Sequence, residues 1–197
     1  MKNIICTALL LLFATALFAQ KWEVDPMHST VQFRANHMGL ADIIGVFENY
    51  EVNFEPASDE MNNLALSVDV QTGSVSTRVE ARDAHLKSKD FLNVEEFPNM
   101  IFRSTSFKKK RKGRYELKGE LTLMGITKKI AMEVKKGKVV TGLQNEQRVG
   151  FVAMGTVNRT DFGMAFNMDM DNGFKLIANK IDILISMEFV KQTKEEE

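Results

Sequence analysis

The stretch 81-ARDAHLKSKDF-91 gathers side chains that could do chemistry: Arg82, Asp83 and His85, followed at once by apolar Leu86 and Phe91. A histidine within hydrogen-bond reach of a carboxylate is the usual apparatus of general acid–base catalysis. Spacing decides whether these groups can cooperate. Thr77 and Glu80 form a T-x-x-E capping box, which predicts a short helix over about 78–87. On that helix Arg82 and Leu86 share a face, whereas Asp83 and His85 point away from each other. A catalytic partner would have to come from elsewhere, such as Arg159 or Asp161 in 158-NRTDFG-163. There is no serine in a G-x-S-x-G elbow, and the only cysteine, Cys6, lies near the N-terminus. The cluster therefore predicts an ion-paired brace that seats a helix, and no catalytic residue is assigned.

Metal chemistry fares no better. His28, His37 and His85 do not pair at ligand spacing, and 164-MAFNMDM-170 places three methionines in a short run. Thioethers can hold Cu(I) in an exported protein, but methionine in an adaptable apolar lining is the simpler reading. Asp169, Asp171 and Gly173 resemble part of a calcium loop that lacks its closing acid. No metal site is predicted.

The elements that must carry these residues are strands. In 30-TVQFRANH-37, Val31, Phe33, Ala35 and His37 share one face, and Gln32, Arg34 and Asn36 the other. The same alternation marks 50–55, 64–70, 115–123, 130–134, 149–157 and 181–189, and a less regular version marks 100–107. Seven or eight strands with one wet and one dry face predict an antiparallel sheet wrapped on itself, because closure removes the exposed edges. Gly45, Gly119, Gly150 and Gly155, inside strand patterns, fit the bends or bulges of a small barrel.

Lys2 followed by 4-IICTALLLLFATALFA-19 has the form of a secretory signal peptide, with cleavage expected after Ala19. That assigns 1–19 to the signal, 20–190 to one domain, and 191-KQTKEEE-197 to a frayed tail. The exported chain then has no cysteine, so its stability must come from packing rather than disulfides. Formal net charge is zero, which argues against a nucleic-acid partner. The basic run 108-KKKRKGR-114 reads as a solvated hairpin connection. The apolar payload is weighted to Phe and Met, 14 and 12 in the full chain against one Trp and two Tyr. Such residues fill a core, or line a cavity for a variable lipid chain, without fixed hydrogen-bond demands.

At this point the motifs 22-WEVDPMHSTVQF-33, 45-GVF-47, 82-RDAHLKSKDFLNVEEFPNMIFRST-105, 119-GELTLMGITK-128 and 159-RTDFGM-164 resemble those of the YceI-like family of exported polyisoprenoid-binding proteins. The family's FFDV-type segment reads 91-FLNV-94 here, and its IGDxV-type ending reads 177-IANKI-181. The resemblance implies an all-β, eight-stranded, lipocalin-like antiparallel barrel with a short helical lid, in the periplasm or secreted. It implies a non-enzymatic carrier that holds a polyisoprenoid, such as a quinone tail or polyprenyl phosphate, with no other cofactor. The alternatives are an enzyme acting on such a lipid and a copper-handling protein. Transient membrane contact and a homodimer are compatible with the carrier. The expected ligand-binding residues are Phe33, His37, Phe54, Leu86, Phe91, Phe102, Met124, Met132, Phe151 and Phe162. The expected polar frame is Arg82, Asp83, His85, Arg159 and Asp161.

Overall fold

The computed structural model describes residues 21–58, 61–111 and 113–191. The signal segment and most of the tail lie outside the described residues. Among the described residues twelve strands form one antiparallel sheet, in place of the expected eight. They are β1 (Trp22–Val24), β2 (Thr30–His37), β3 (Ala41–Phe47), β4 (Tyr50–Pro56), β5 (Leu64–Gln71) and β6 (Val75–Ser76). Then follow β7 (Asn99–Lys109), β8 (Arg114–Leu123), β9 (Ile126–Lys136), β10 (Val140–Thr141), β11 (Gln147–Asn158) and β12 (Ile177–Lys191). The hydrogen-bonded order is β4-β5-β7-β8-β9-β11-β12-β2-β3-β6, with β1 on β12 and β10 on β11.

That path ends at β4 and β6, so the sheet curls into a barrel without a continuous hydrogen-bonded seam. Two devices cover the gap. At one end β1 pairs with the tail of β12 and lies against β4, with Trp22 buried. Elsewhere the segment between β5 and β7 crosses over; it contains β6 and helix α1 (Glu80–Lys87). Short strands escaped the sequence reading because β1, β6 and β10 are too brief to show a period. β3 escaped for another reason. Its Ile43 faces inward while the adjacent Ile44 is 59 % exposed, which breaks the apolar–polar alternation.

The irregular pattern of 100–107 has a physical cause. Phe102 and Phe107 are both buried, yet their odd spacing would put them on opposite faces of a regular strand. The β7–β8 register shifts between Ser104 and Ser106, and this bulge resets the parity. The basic run after it turns β7 into β8, as expected of a hairpin connection. The β8–β9 hairpin is tighter. Met124 and Gly125 both take positive φ, 49° and 71°, as a two-residue loop matched to strand twist requires.

The interior divides into two halves. Towards the β1 end, Phe54 stacks on Phe189 at 4.0 Å, and Phe151 meets them edge-on at 5.5 and 5.8 Å. Phe107 stacks on Tyr115 at 4.6 Å beside this group. The rings fill that end. Outside it, Arg148 donates to Asp25, Glu146 and Glu188, and His28 bonds Asp25 as well. These bonds, His28's foremost, hold the Asp25 pKa down to about 2. The network pins the turn after β1 to β11 and β12.

Glycines at Gly45 and Gly119 serve the rings rather than a bend alone. A Cβ on Gly45 would sit 2.3 Å from the Phe33 ring. On Gly119 it would sit 2.3 Å from the Phe102 ring and 2.5 Å from the Arg103 carbonyl oxygen. A backbone oxygen held in a sheet cannot move aside cheaply. Gly119→Ala is therefore expected to cost about 1–3 kcal/mol of stability, as overpacking does. Gly73→Ala, where the added carbon meets nothing within 4 Å, should stay within about 0.5 kcal/mol. Urea denaturation of both variants checks this; equal costs would contradict the packing argument.

Candidate functional site

Beyond the aromatic plug the barrel is hollow. A cavity of about 620 Å³ opens there, walled by inward residues of β2, β3, β5, β7, β8, β9, β11 and β12. The wall is overwhelmingly apolar: Phe33, Val68, Phe102, Met132, Ile183 and Ile185 are representative. The crossover segment completes it with Val79, Ala81, Arg82, His85, Leu86, Phe91 and Leu92. The loop between β11 and β12 adds Met164, Phe166 and Leu176.

Helix α1 is held over this cavity, but not by the capping box that its sequence suggests. Val79 occupies the N-cap position and makes no side-chain cap. Thr77 lies two residues too early, and its backbone N–H and hydroxyl both donate to Asp83 Oδ1, at 2.8 and 2.5 Å. Arg82 Nε donates to the Thr77 hydroxyl at 2.7 Å, and its Nη2 to the Thr77 carbonyl at 3.0 Å. The brace predicted for Arg82 and Asp83 thus closes on the strand end that precedes the helix. Asp83 and His85 do point apart. The partner of His85 is Asp90, at 2.8 Å, in the turn just after the helix. Helical spacing could not show this, because the chain has already turned back when Asp90 is reached.

An aromatic contact joins this cover to the opposite loop. The His85 ring meets Phe91 at 5.0 Å and Phe166 at 4.9 Å, both edge-on. Phe166 lies within the methionine-rich run, where sequence reading attended to sulfur and missed the ring. Of that run, Met164 is buried and Met168 is exposed, so the sulfurs do not share one environment. The calcium-like residues form a turn in which Asp169 pairs with Lys175 at 2.5 Å. Asp25, His28 and Glu188 place ligand-type atoms within 4.8 Å of one another, but Arg148 already donates to both acids.

Of the predicted ligand residues, Phe33, His37, Leu86, Phe91, Phe102 and Met132 line the cavity. Phe54 and Phe151 do not; they belong to the plug, because their strand positions lie nearer the β1 end. Met124 sits in the β8–β9 turn rather than on the strand face. Phe162 is buried in the short 3-10 turn after β11 and packs into the core. Among the polar residues, Arg82, His85 and Arg159 reach the cavity wall. Asp83 is turned to Thr77, and Asp161 accepts from Asn158 at 3.1 Å.

The fold and site define a class: a curled antiparallel barrel, plugged at one end, hollow and apolar at the other, and covered by a helix. Comparison places it more closely. Residues 22–189 match the YceI-like domain, and the chain belongs to the YceI-like family. A UPF0312 protein of Yersinia enterocolitica is 34% identical over 193 residues, covering 92% of each chain. The crystal structure of BcnA from Burkholderia cenocepacia superposes with a TM-score of 0.73 at 15% identity, covering 84% of this chain and 99% of that one. A polyisoprenoid binding domain from Saccharophagus degradans, implicated in plant cell wall breakdown, superposes at 0.62 with 10% identity, covering 88% and 100%.

Removing Asp83 leaves two donors of Thr77 without their acceptor. Asp83→Ala is expected to cost about 1–2 kcal/mol, the range for loss of a capping carboxylate. Asp90→Ala breaks only a solvent-exposed pair and should cost well under about 1 kcal/mol. Chemical denaturation separates the two; a larger loss for Asp90→Ala would contradict this account of the brace.

Proposed function

We propose that the protein binds one long-chain amphiphile, of isoprenoid type, with its tail inside the barrel, and carries or sequesters it without chemical change. The observation that carries this reading is the apolar hollow itself. Close-packed interiors leave few voids larger than a water molecule. A cavity of about 620 Å³, of the size of ordinary ligand pockets, is therefore a feature that the sequence maintains. Its wall offers surface and few directional hydrogen bonds, which suits a hydrocarbon chain. Each Å² of apolar tail withdrawn from water contributes about 25 cal/mol. The printed description of the Saccharophagus degradans domain supports the same ligand class. A location in the periplasm or outside the cell follows from the signal segment. Transient contact with a membrane would load and unload the cargo.

Retinol, a fluorescent isoprenoid alcohol, tests the reading. It is expected to titrate to one molecule per chain. Ala35 lines the cavity, so Ala35→Trp should fill empty space, weaken retinol binding at least about tenfold and leave the melting temperature unchanged or raised. No retinol binding, or binding indifferent to Ala35→Trp in a folded protein, would contradict the proposal.

A further inference from the structure

The charged groups on the cavity wall are all of one sign. Arg82 and Arg159 reach it, and no aspartate or glutamate does; His37 and His85 also line it. Arg159 is the telling member. It is only 2 % exposed, yet it forms no ion pair among the described residues. Its Nε donates to the Ala178 carbonyl at 3.2 Å, its Nη1 to the Met164 carbonyl at 2.6 Å, and its Nη2 to the Asn179 side-chain oxygen at 3.3 Å. Every one of these acceptors is neutral. Arg148, which is more exposed, holds three carboxylates.

A guanidinium stays charged inside a protein, and a buried charge without a counter-charge is costly. Burial alone pushes the Arg159 pKa down, with nothing to offset it. Three of its five N–H groups are used, so two remain for a ligand. The neutral acceptors fix the plane of the group, because each comes from a different point of the 164–179 segment.

Resting on the lipid-binding reading, we infer that Arg159 receives the anionic head of the bound amphiphile, while the tail runs inward past Phe33 and Phe102. The same cavity bounds the tail. At about 620 Å³ it falls in the range of pockets that hold one ligand molecule. The fitting ligand is a single-chain acid, a fatty carboxylate or an isoprenoid phosphate.

Matched acid and alcohol pairs test this: oleic acid against oleyl alcohol, and geranylgeranyl phosphate against geranylgeraniol, each by displacement of retinol from the full exported protein. The wild type is expected to bind each acid at least about tenfold more tightly than its alcohol, as charge-assisted hydrogen bonds require. The larger ratio identifies carboxylate or phosphate as the better head. In Arg159→Met the ratio should fall towards one with alcohol affinity retained, and Arg159→Lys should restore part of it. Equal binding of acid and alcohol by the wild type would overturn the head-group inference and leave the lipid reading standing. Failure of all four ligands to bind would overturn both. The wild-type ratio decides the matter even if Arg159→Met does not fold. A full ratio persisting in folded Arg159→Met would place the anion elsewhere and also overturn the inference.

Discussion

Phe54, Phe151 and Phe189 close one end of the barrel, and the rest of the structure depends on that closure. Stacked and edge-on rings bury a large apolar area in a small volume and hold defined geometry. They draw β4, β11 and β12 together at the end where the sheet has no continuous seam. With stability concentrated there, the other half of the interior need not be filled. The small side chains that face it, such as Ala35 and Val68, leave the hollow that larger residues would close. One sheet thus has two interiors, a solid one that stabilises and a hollow one that suits the proposed ligand.

The cover follows from the same gap. A sheet that ended at β4 and β6 with nothing across it would expose backbone donors and apolar wall together. The segment from β5 to β7 crosses there. Apart from the pairing of β6 with β3, its fixing contacts are local: Asp83 to Thr77, Arg82 to Thr77, and Thr72 to the carbonyls of Phe97 and Pro98. Among the described residues, the ring contacts to the opposite loop run through Phe166. The cover therefore holds its own shape while its junction with the 163–176 loop rests on a few rings. That arrangement suits an entrance.

Much of this was legible in the chain, and the failures have physical causes. The inward faces of β2, β5, β8, β9, β11 and β12 could be read because one wet and one dry face impose a period of two. β3 could not, since Ile44 is apolar and exposed. Phe102 and Phe107 could not both be placed without the bulge at Ser104–Ser106, which no residue type announces. Among the site residues, Leu86 and Arg82 followed from helical spacing, whereas Asp90 and Phe166 are brought in by chain reversals. Alternation says which residues point inward, but not how far along the axis they lie. That is why Phe54 and Phe151 could not be told from Phe33 and Phe102, although the first pair fills the plug and the second lines the hollow.

The measurement that tests this account most directly is mass spectrometry of an organic extract from the undenatured protein, purified from its own host. The account predicts close to one equivalent of a single-chain amphiphilic lipid, in keeping with a cavity of about 620 Å³. An extract free of lipid, from protein that also takes up none when lipid is supplied, would contradict it and make the hollow a packing defect.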